Sequence, residues 1–391
     1  MNINFTPHRI LILLPSEYPF GGAQALRMML IAHGFVISGF DCRILGLCKE
    51  HNTASCNDKW NFDSNNILFF NAVLETDCSV GDVLLRESSK LYQYWKYDFL
   101  LAYGPFWSSI GPSIRFADNS GVRVFADCTE WYAFRPWRIY SLTYWDHVHF
   151  RYNLRTLSGA IAISRYWKKY LQSINVPVIR VPALIDSLSC PEEKICSDFE
   201  CEKPLKLGYF GALSNRNLFA TLLKSIQIAR NYIDVTLHCY GHQALPVNHP
   251  VHNMVEKFHI REFVYFCGWL PSHRDVIVKM QNCDALVLLR DSDIASIASF
   301  PTRLPEYLLS GKPVVVSRVG DIAEYLEDRV SAYFVPPGDH PKNIAGKLFD
   351  ICQYKAEAKN IGRRGAEVAK KHFSYVDHGC RLAEFLVSFK K

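Results

Sequence analysis

The stretch FPTRLPEYLLSGKPVVVSR, residues 300–318, sets one acid, Glu306, inside a short apolar segment that ends just ahead of an apolar strand. Proline is tolerated only in the first turn of a helix. With Pro305 there and Thr302 as cap, the pattern predicts a helix from Thr302 to Ser310 and a left-handed terminus at Gly311. Leu304, Tyr307 and Leu308 supply its buried i, i+3, i+4 face. Glu306 then projects near the C-terminal edges of parallel strands, where such sheets bind ligands. A carboxylate there can accept two hydrogen bonds from the hydroxyls of a ribose, and the free N–H groups of the helix start attract phosphate. The plainer alternative is an acid that only complements the helix dipole.

A second group ends the run VRVFADCTEWY, where Asp127, Thr129 and Glu130 are expected to face a cleft above the strand ends. A carboxylate at Asp127 or Glu130 can orient a hydroxyl or take its proton. Otherwise each caps a helix or anchors a buried hydrogen bond. Arg290 closes DALVLLR, either as a cation for an anionic ligand or as the structural partner of Asp284 or Asp293. The triplet DSD at 291–293 is the only D-x-D of interest, and it lacks flanking apolar strands. Cys190, Cys196 and Cys201 have irregular spacing with no nearby histidine, so no metal is expected.

These residues need a scaffold, and the periodicity supplies one. Short apolar runs alternate with amphipathic segments, which predicts parallel sheets built from β-α units. In the first half the runs are RILILLP, CRILGL, NILFF, DVLLR, FLLAYG, VRVFAD and GAIAIS, with a helix opening after the glycine pair of GGAQ. In the second they are LKLGYFG, VTLHCYG, FVYFCG, DALVLLR, KPVVVSR and SAYFVPP, with helices between them. Most are too continuously apolar for half-exposed strands, so helices should cover both sheet faces. Residues 186–204 are polar with two prolines and read as a linker. The expected organisation is two doubly wound Rossmann-like domains, 1–185 and 205–374, with 375–391 crossing back to the first.

Composition excludes several classes. The 391 residues are 49% apolar, enough for two cores, and no apolar run reaches the ~20 residues that span a bilayer. Ile10 to Leu14 is too short for a signal-peptide core, so the expected location is cytoplasmic. Thirteen scattered cysteines without a C-x-x-C pair read as reduced thiols. The net charge is +6, and from Trp131 to Arg180 eight Lys or Arg face a single acid, Asp146, among many aromatics. That mixture suits an anionic membrane surface, here the inner membrane face, or a phosphate-bearing acceptor, and otherwise an ordinary solvated helix. No nucleic-acid motif accompanies it.

Five motifs, in order, resemble those of the retaining family 4 of GT-B glycosyltransferases: GGAQ (21–24), LGYFGALSNRN (207–217), FVYFCGWLPSHRDV (263–276), FPTRLPEYLLSGKPVVVS (300–317) and SAYFVPPGD (331–339). DCTEWY, GAIAISRYWKKYL and VPALID add a resemblance to members that build bacterial surface polysaccharides. The resemblance implies a hexosyltransferase moving a sugar from a nucleoside-diphosphate-sugar to a glycan or lipid-linked acceptor, with retention, no metal and no other cofactor. By position it implies that Glu306 is the second acid of an E-x7-E pair and holds the donor ribose. Gly21 and Gly22 would bring backbone N–H groups to the diphosphate, and Arg216 and Arg303 would neutralise it. Gly211 would lie at the strand end that opens the donor domain. Gly268 to Pro271 would face the base.

Departures from the pattern are equally specific. The first acid of E-x7-E is Ala298, the arginine of "G-R-L" is Ala212, the lysine of "E-K-G" is Asn217, Gln24 replaces a glutamate, and Thr129 stands where many members have histidine. They keep open an epimerase or inverting enzyme of the same architecture, or a catalytically silent scaffold of a glycan-assembly complex.

Overall fold

The structure is a computed structural model. It describes residues 7–18, 22–49, 61–62, 67–104, 106–134, 139–186, 204–213, 218–241, 249–270 and 273–389. These form two compact units, one of Met1–Leu184, Ala298–Phe300 and Ser374–Lys391, the other of Ile185–Ile297 and Pro301–Phe373. Most of the expected linker lies outside the described residues.

The first unit runs β1 (Arg9–Leu13), α1 (Ala23–Ile37), β2 (Asp41–Lys49), β3 (Asn61–Phe62), β4 (Leu68–Leu74), α2 (Val80–Tyr94), β5 (Phe99–Tyr103), α3 (Trp107–Asn119), β6 (Arg123–Cys128), α4 (Leu142–Asn153), β7 (Gly159–Ala162), α5 (Arg165–Ser173) and β8 (Val178–Arg180). Its eight strands lie in the order β3-β4-β2-β1-β5-β6-β7-β8, parallel except for the β3–β4 pair. Every residue of β5 and β7 is buried, as their unbroken apolar runs require of strands covered on both faces.

One expected strand is a helix. DVLLR lies within α2, where Ser79 accepts from the Asp82 N–H and caps the start. Val83, Leu84 and Leu91 are buried at helical spacing. A five-residue apolar run is too short to separate the two periods, and the capping serine decides.

The second unit runs β9 (Leu205–Phe210), α6 (Phe219–Ala229), β10 (Val235–Tyr240), α7 (Pro250–Lys257), β11 (Val264–Gly268), α8 (His273–Gln281), β12 (Ala285–Leu288), α9 (Ile294–Ala298), α10 (Arg303–Leu309), β13 (Val314–Ser317), α11 (Ile322–Tyr325), β14 (Tyr333–Val335), α12 (Pro341–Gln353) and α13 (Lys355–Phe373). Its sheet is parallel throughout, in the order β11-β10-β9-β12-β13-β14. The chain winds outward from β9 through β10 to β11, then returns to the other side of β9 with β12. The C-terminal ends of β9 and β12 therefore flank a topological switch point, the position at which such sheets bind ligands.

The last helix, α14 (Tyr375–Val387), belongs to the first unit and crosses α1 there. The two backbones meet at a glycine pair: a Cβ added to Gly34 would lie 2.6 Å from the Gly379 Cα. Phe385 and Phe389 continue the contact onto Phe125 of β6, with ring centroids 5.9 and 5.4 Å away. Most described cysteines carry free thiols, but Cys48 is disulfide-bonded, a departure from the expectation of reduced thiols. Replacing Gly379 with leucine should force α1 and α14 apart and destabilise the protein by about 1–3 kcal/mol in urea unfolding. An unchanged midpoint would mean that the crossing is not close-packed.

Candidate functional site

Helix α10 is placed by a side chain beside the acid. The Tyr307 hydroxyl accepts from the Phe210 N–H at 2.8 Å and donates to the Phe210 carbonyl at 3.4 Å, which clips α10 onto the end of β9. Burial pushes this phenol well up, so it stays protonated and able to donate. Thr302 precedes the helix as expected but makes no capping bond, whereas Gly311 does take the left-handed conformation.

Glu306, one position before this clip, is only 3% exposed. Its Oε2 accepts from Arg303 Nη1 at 2.6 Å, and its Oε1 accepts from His273 Nε2 at 2.8 Å. Burial works to raise its pKa, but the Arg303 charge and the bonds from His273 and Arg303 outweigh it, so the carboxyl is held below its ordinary range. Arg303 is raised in turn, burial being outweighed by Glu306. The result is an ionised acceptor, buried beside the switch point, whose two hydrogen-bond donors, Arg303 and His273, are each more exposed than the acid.

The strand ends around it are laced by glycine backbone. The Gly211 N–H donates to the Tyr240 carbonyl at 3.0 Å, and the Gly241 N–H donates to the Gly268 carbonyl at 2.9 Å. Gly268 has φ +75, which a side chain would strain, and nothing stands within 4 Å of where its Cβ would be. Trp269, next to it, is exposed. The backbone N–H of Arg290 donates to Ser317 Oγ at 3.0 Å, fixing the end of β12 beside β13. Asp284, weighed as a partner for Arg290, accepts from the Lys206 N–H at 2.8 Å. Asp293 caps α9 through the Ser296 N–H at 2.8 Å, and Asp291 accepts from the Ser292 N–H at 2.7 Å. Arg216 and Gly21 lie outside the described residues. Position 298, where the resemblance has its first acid, is a fully buried alanine.

In the first unit the expectation that Asp127 faces a cleft needs correction. It is 0% exposed, and both of its oxygens accept from Arg27, from Nε at 2.7 Å and from Nη2 at 2.8 Å. Arg27 also donates to the carbonyls of Pro182 at 2.7 Å and Val181 at 3.1 Å. Burial opposes the charge on Arg27, but Asp127 more than offsets it and the pKa is raised. Asp127 is thus the buried anchor that the sequence left open as an alternative, because a residue still inside β6 points into the layer of helices. Thr129 is buried and donates to the Tyr103 hydroxyl at 3.1 Å. Glu130, beyond the strand end, is half-buried. Gly22 precedes α1 with φ +74 and open space at its Cβ position.

The aromatic-basic segment divides into two parts. Trp131 packs against Trp167 with centroids 4.9 Å apart and against His147 at 5.7 Å, and the Arg151 guanidinium lies 4.6 Å from its ring centroid. Burial, and then Arg151, push the His147 imidazole down to about 3, so it is neutral in this cluster at pH 7. By contrast Tyr140 and Leu142 are 87% and 88% exposed, with Phe134 and Trp145 beside them in the chain also exposed. Arg135 and Arg138 lie outside the described residues. Among the described residues no three His, Cys, Asp or Glu side chains gather as metal ligands would.

Two residues of these sites had no role assigned from sequence: His273, although it lies within FVYFCGWLPSHRDV, and Arg27, which lies outside every quoted motif. His273 sits 33 positions from Glu306, and Arg27 sits 100 from Asp127. A lone histidine at a helix start and a lone arginine in an apolar helix give no local hint of such partners. Removing only the acid, as in Asp127→Ala, leaves a buried unpaired guanidinium and should cost about 3–5 kcal/mol in urea unfolding. The double variant Arg27→Met with Asp127→Leu should recover most of that loss. Equal instability of both variants would contradict an ion pair as the source.

Residues 193–368 match the family model described as glycosyl transferases group 1, a span that includes Gly211, Gly268, Arg290, Arg303 and Glu306. A stretch of 109 residues is 31% identical to trehalose phosphorylase of Pleurotus pulmonarius, covering 26% of this chain and 14% of the length of that relative. Among solved structures, sucrose-phosphate synthase from Thermosynechococcus elongatus superposes with a TM-score of 0.75 at 12% identity, covering 97% of this chain and 98% of the other. Anabaena HepE in complex with UDP gives 0.72 at 16%, covering 97% and 100%. A glycosyltransferase from Rickettsia africae gives 0.71 at 14%, covering 99% and 100%. At these identities the likeness shows the fold, and that fold is GT-B: two α/β domains with parallel sheets.

Proposed function

We propose that this chain is a group 1 glycosyltransferase that moves a hexose from a nucleoside-diphosphate-sugar to a hydroxyl of a glycan or lipid-linked acceptor. The observation that carries the reading is Glu306, an ionised, buried carboxylate at the switch point of the second unit. Such a group is costly to keep there, and it suits a ligand that offers a pair of hydroxyls and little charge at that spot. The ribose of a nucleotide is that ligand. The backbone near Gly268 and Trp269 receives the base, and Gly211 and the region of Arg290 receive the diphosphate. Arg216 and, through its contact with Glu306, Arg303 contribute positive potential. The HepE structures hold UDP and UDP-glucose, which makes uridine diphosphate sugars the first donors to try.

In this reaction the bond from the anomeric carbon to the diphosphate oxygen breaks and a bond to the acceptor oxygen forms. In the retaining, front-face version the acceptor proton passes to the departing phosphate or to Glu130. Guanidinium groups stabilise the developing phosphate charge, so no metal is assigned. Asp127, held by Arg27, supports the strand end that carries Glu130 instead of taking a proton. Family 4 membership and a role in surface polysaccharide assembly rest on the sequence resemblance.

The exposed apolar residues around α4 support a further part of the reading. No helix among the described residues is long and apolar enough to cross a membrane. Tyr140, Leu142 and Trp145 beside basic residues instead suit shallow insertion into an anionic leaflet, where a lipid-linked acceptor would be met. Arg151 is taken up by Trp131, so the apolar side chains are the ones to alter. The wild type should float with anionic liposomes, and Tyr140→Ser with Leu142→Ser should abolish flotation. Equal flotation of both, or none by the wild type, ends the membrane reading.

A catalytically silent relative is favoured by one observation, the buried alanine at 298. Turnover separates the two. With UDP-glucose, GDP-glucose and ADP-glucose as trial donors, one should support transfer or slow hydrolysis. Glu306→Gln should then lower kcat/KM about 10–100-fold with the fold intact, as expected for lost hydrogen bonds to a charged group. Undiminished turnover in that variant removes the site, and no turnover with any donor favours the silent relative.

A further inference from the structure

His273 lies within the FVYFCGWLPSHRDV motif but has no role assigned there, yet it makes one of the two bonds that hold Glu306. The two bonds differ in kind. Arg303 stands one turn ahead on the same helix, so its bond travels with α10. His273 opens α8 and follows the β11 end that carries Gly268 and Trp269. Its Nε2 lies 2.8 Å from a carboxylate oxygen. That nitrogen must carry the proton, since two lone pairs would otherwise face each other. Each carboxylate oxygen still has a second acceptor site, so Glu306 can take a ribose diol with His273 in place. The imidazole is 46% exposed while the acid is 4% exposed, so the bond ties the buried carboxylate to a ring that reaches solvent.

We propose that His273 is a positioning residue for nucleotide recognition: it fixes the carboxylate of Glu306 and couples it to the β11 end, so that base and ribose are read as one unit. This rests on the reading of Glu306 as the ribose acceptor. A carboxylate held only by Arg303 would keep its charge but lose one of the two bonds that fix its plane. The ribose would then meet a correctly charged but wandering acceptor.

The test compares nucleotides with and without the diol. The probe is whichever of UDP, GDP and ADP binds the wild type most tightly, together with its 2′,3′-dideoxy form, by titration calorimetry. His273→Ala should weaken the ribonucleotide about 10–30-fold and the dideoxy form less than about threefold, the size of one hydrogen bond to a charged group. His273→Gln, which keeps an N–H donor, should recover binding to within about threefold of wild type. Equal weakening of both nucleotides, or no rescue by glutamine, overturns the positioning role. If Glu306→Gln selectively weakens the ribonucleotide while His273→Ala does not, the ribose site stands and His273 has no part in it. If Glu306→Gln is without effect, the reading beneath the inference fails, and the inference with it.

Discussion

A carboxylate stays ionised away from water only when the protein replaces the counter-charge and hydrogen bonds that water gave it. Glu306 meets that condition with one bond to each oxygen, from Arg303 and from His273. Much of the second unit can be understood as what brings these three side chains together. The parallel sheet sets the ends of β9 and β12 side by side. Tyr307 clips α10 to β9, and the β11 turn delivers α8 from the other direction. A stability-only design would favour an apolar residue here, because burying an ion pair seldom repays its desolvation. Retaining charge at this spot makes sense for binding.

The first unit applies the same electrostatics to a different end. Arg27 and Asp127 form a fully buried pair, and the remaining donors of Arg27 reach the carbonyls of Val181 and Pro182. One guanidinium therefore joins α1, the end of β6 and the chain just after β8. These are the segments that present Gly22 and Glu130, so the pair sets the geometry of residues it does not touch. Replacement by hydrocarbon can restore stability, but it cannot reproduce four directed bonds from one side chain.

The fold was largely legible because it rests on patterns that span many residues. Thirteen expected strand segments follow continuous apolar runs, and all but DVLLR form strands. That run was ambiguous at five residues, and Ser79 settled it as a helix. The helix holding Glu306 was legible from Pro305 and Gly311, whose backbone preferences are local. His273 and Arg27 were not legible, since nothing nearby announces a partner 33 or 100 positions away. Asp127 was legible as important and misread in direction: composition marks a strand end, but only the packed helices decide which of its last residues points inward. The aromatic-basic segment looked uniform in sequence and is not, because Trp131 draws Arg151 and His147 inward while Tyr140 and Leu142 stay outside.

The most direct test of the central claim is a crystal structure with a bound nucleoside diphosphate. The account predicts both ribose hydroxyls within about 2.5–3.2 Å of the Glu306 carboxylate, with the base beside Gly268 and Trp269. A nucleotide bound elsewhere, or one whose ribose turns away while Glu306 keeps only Arg303 and His273, would contradict it.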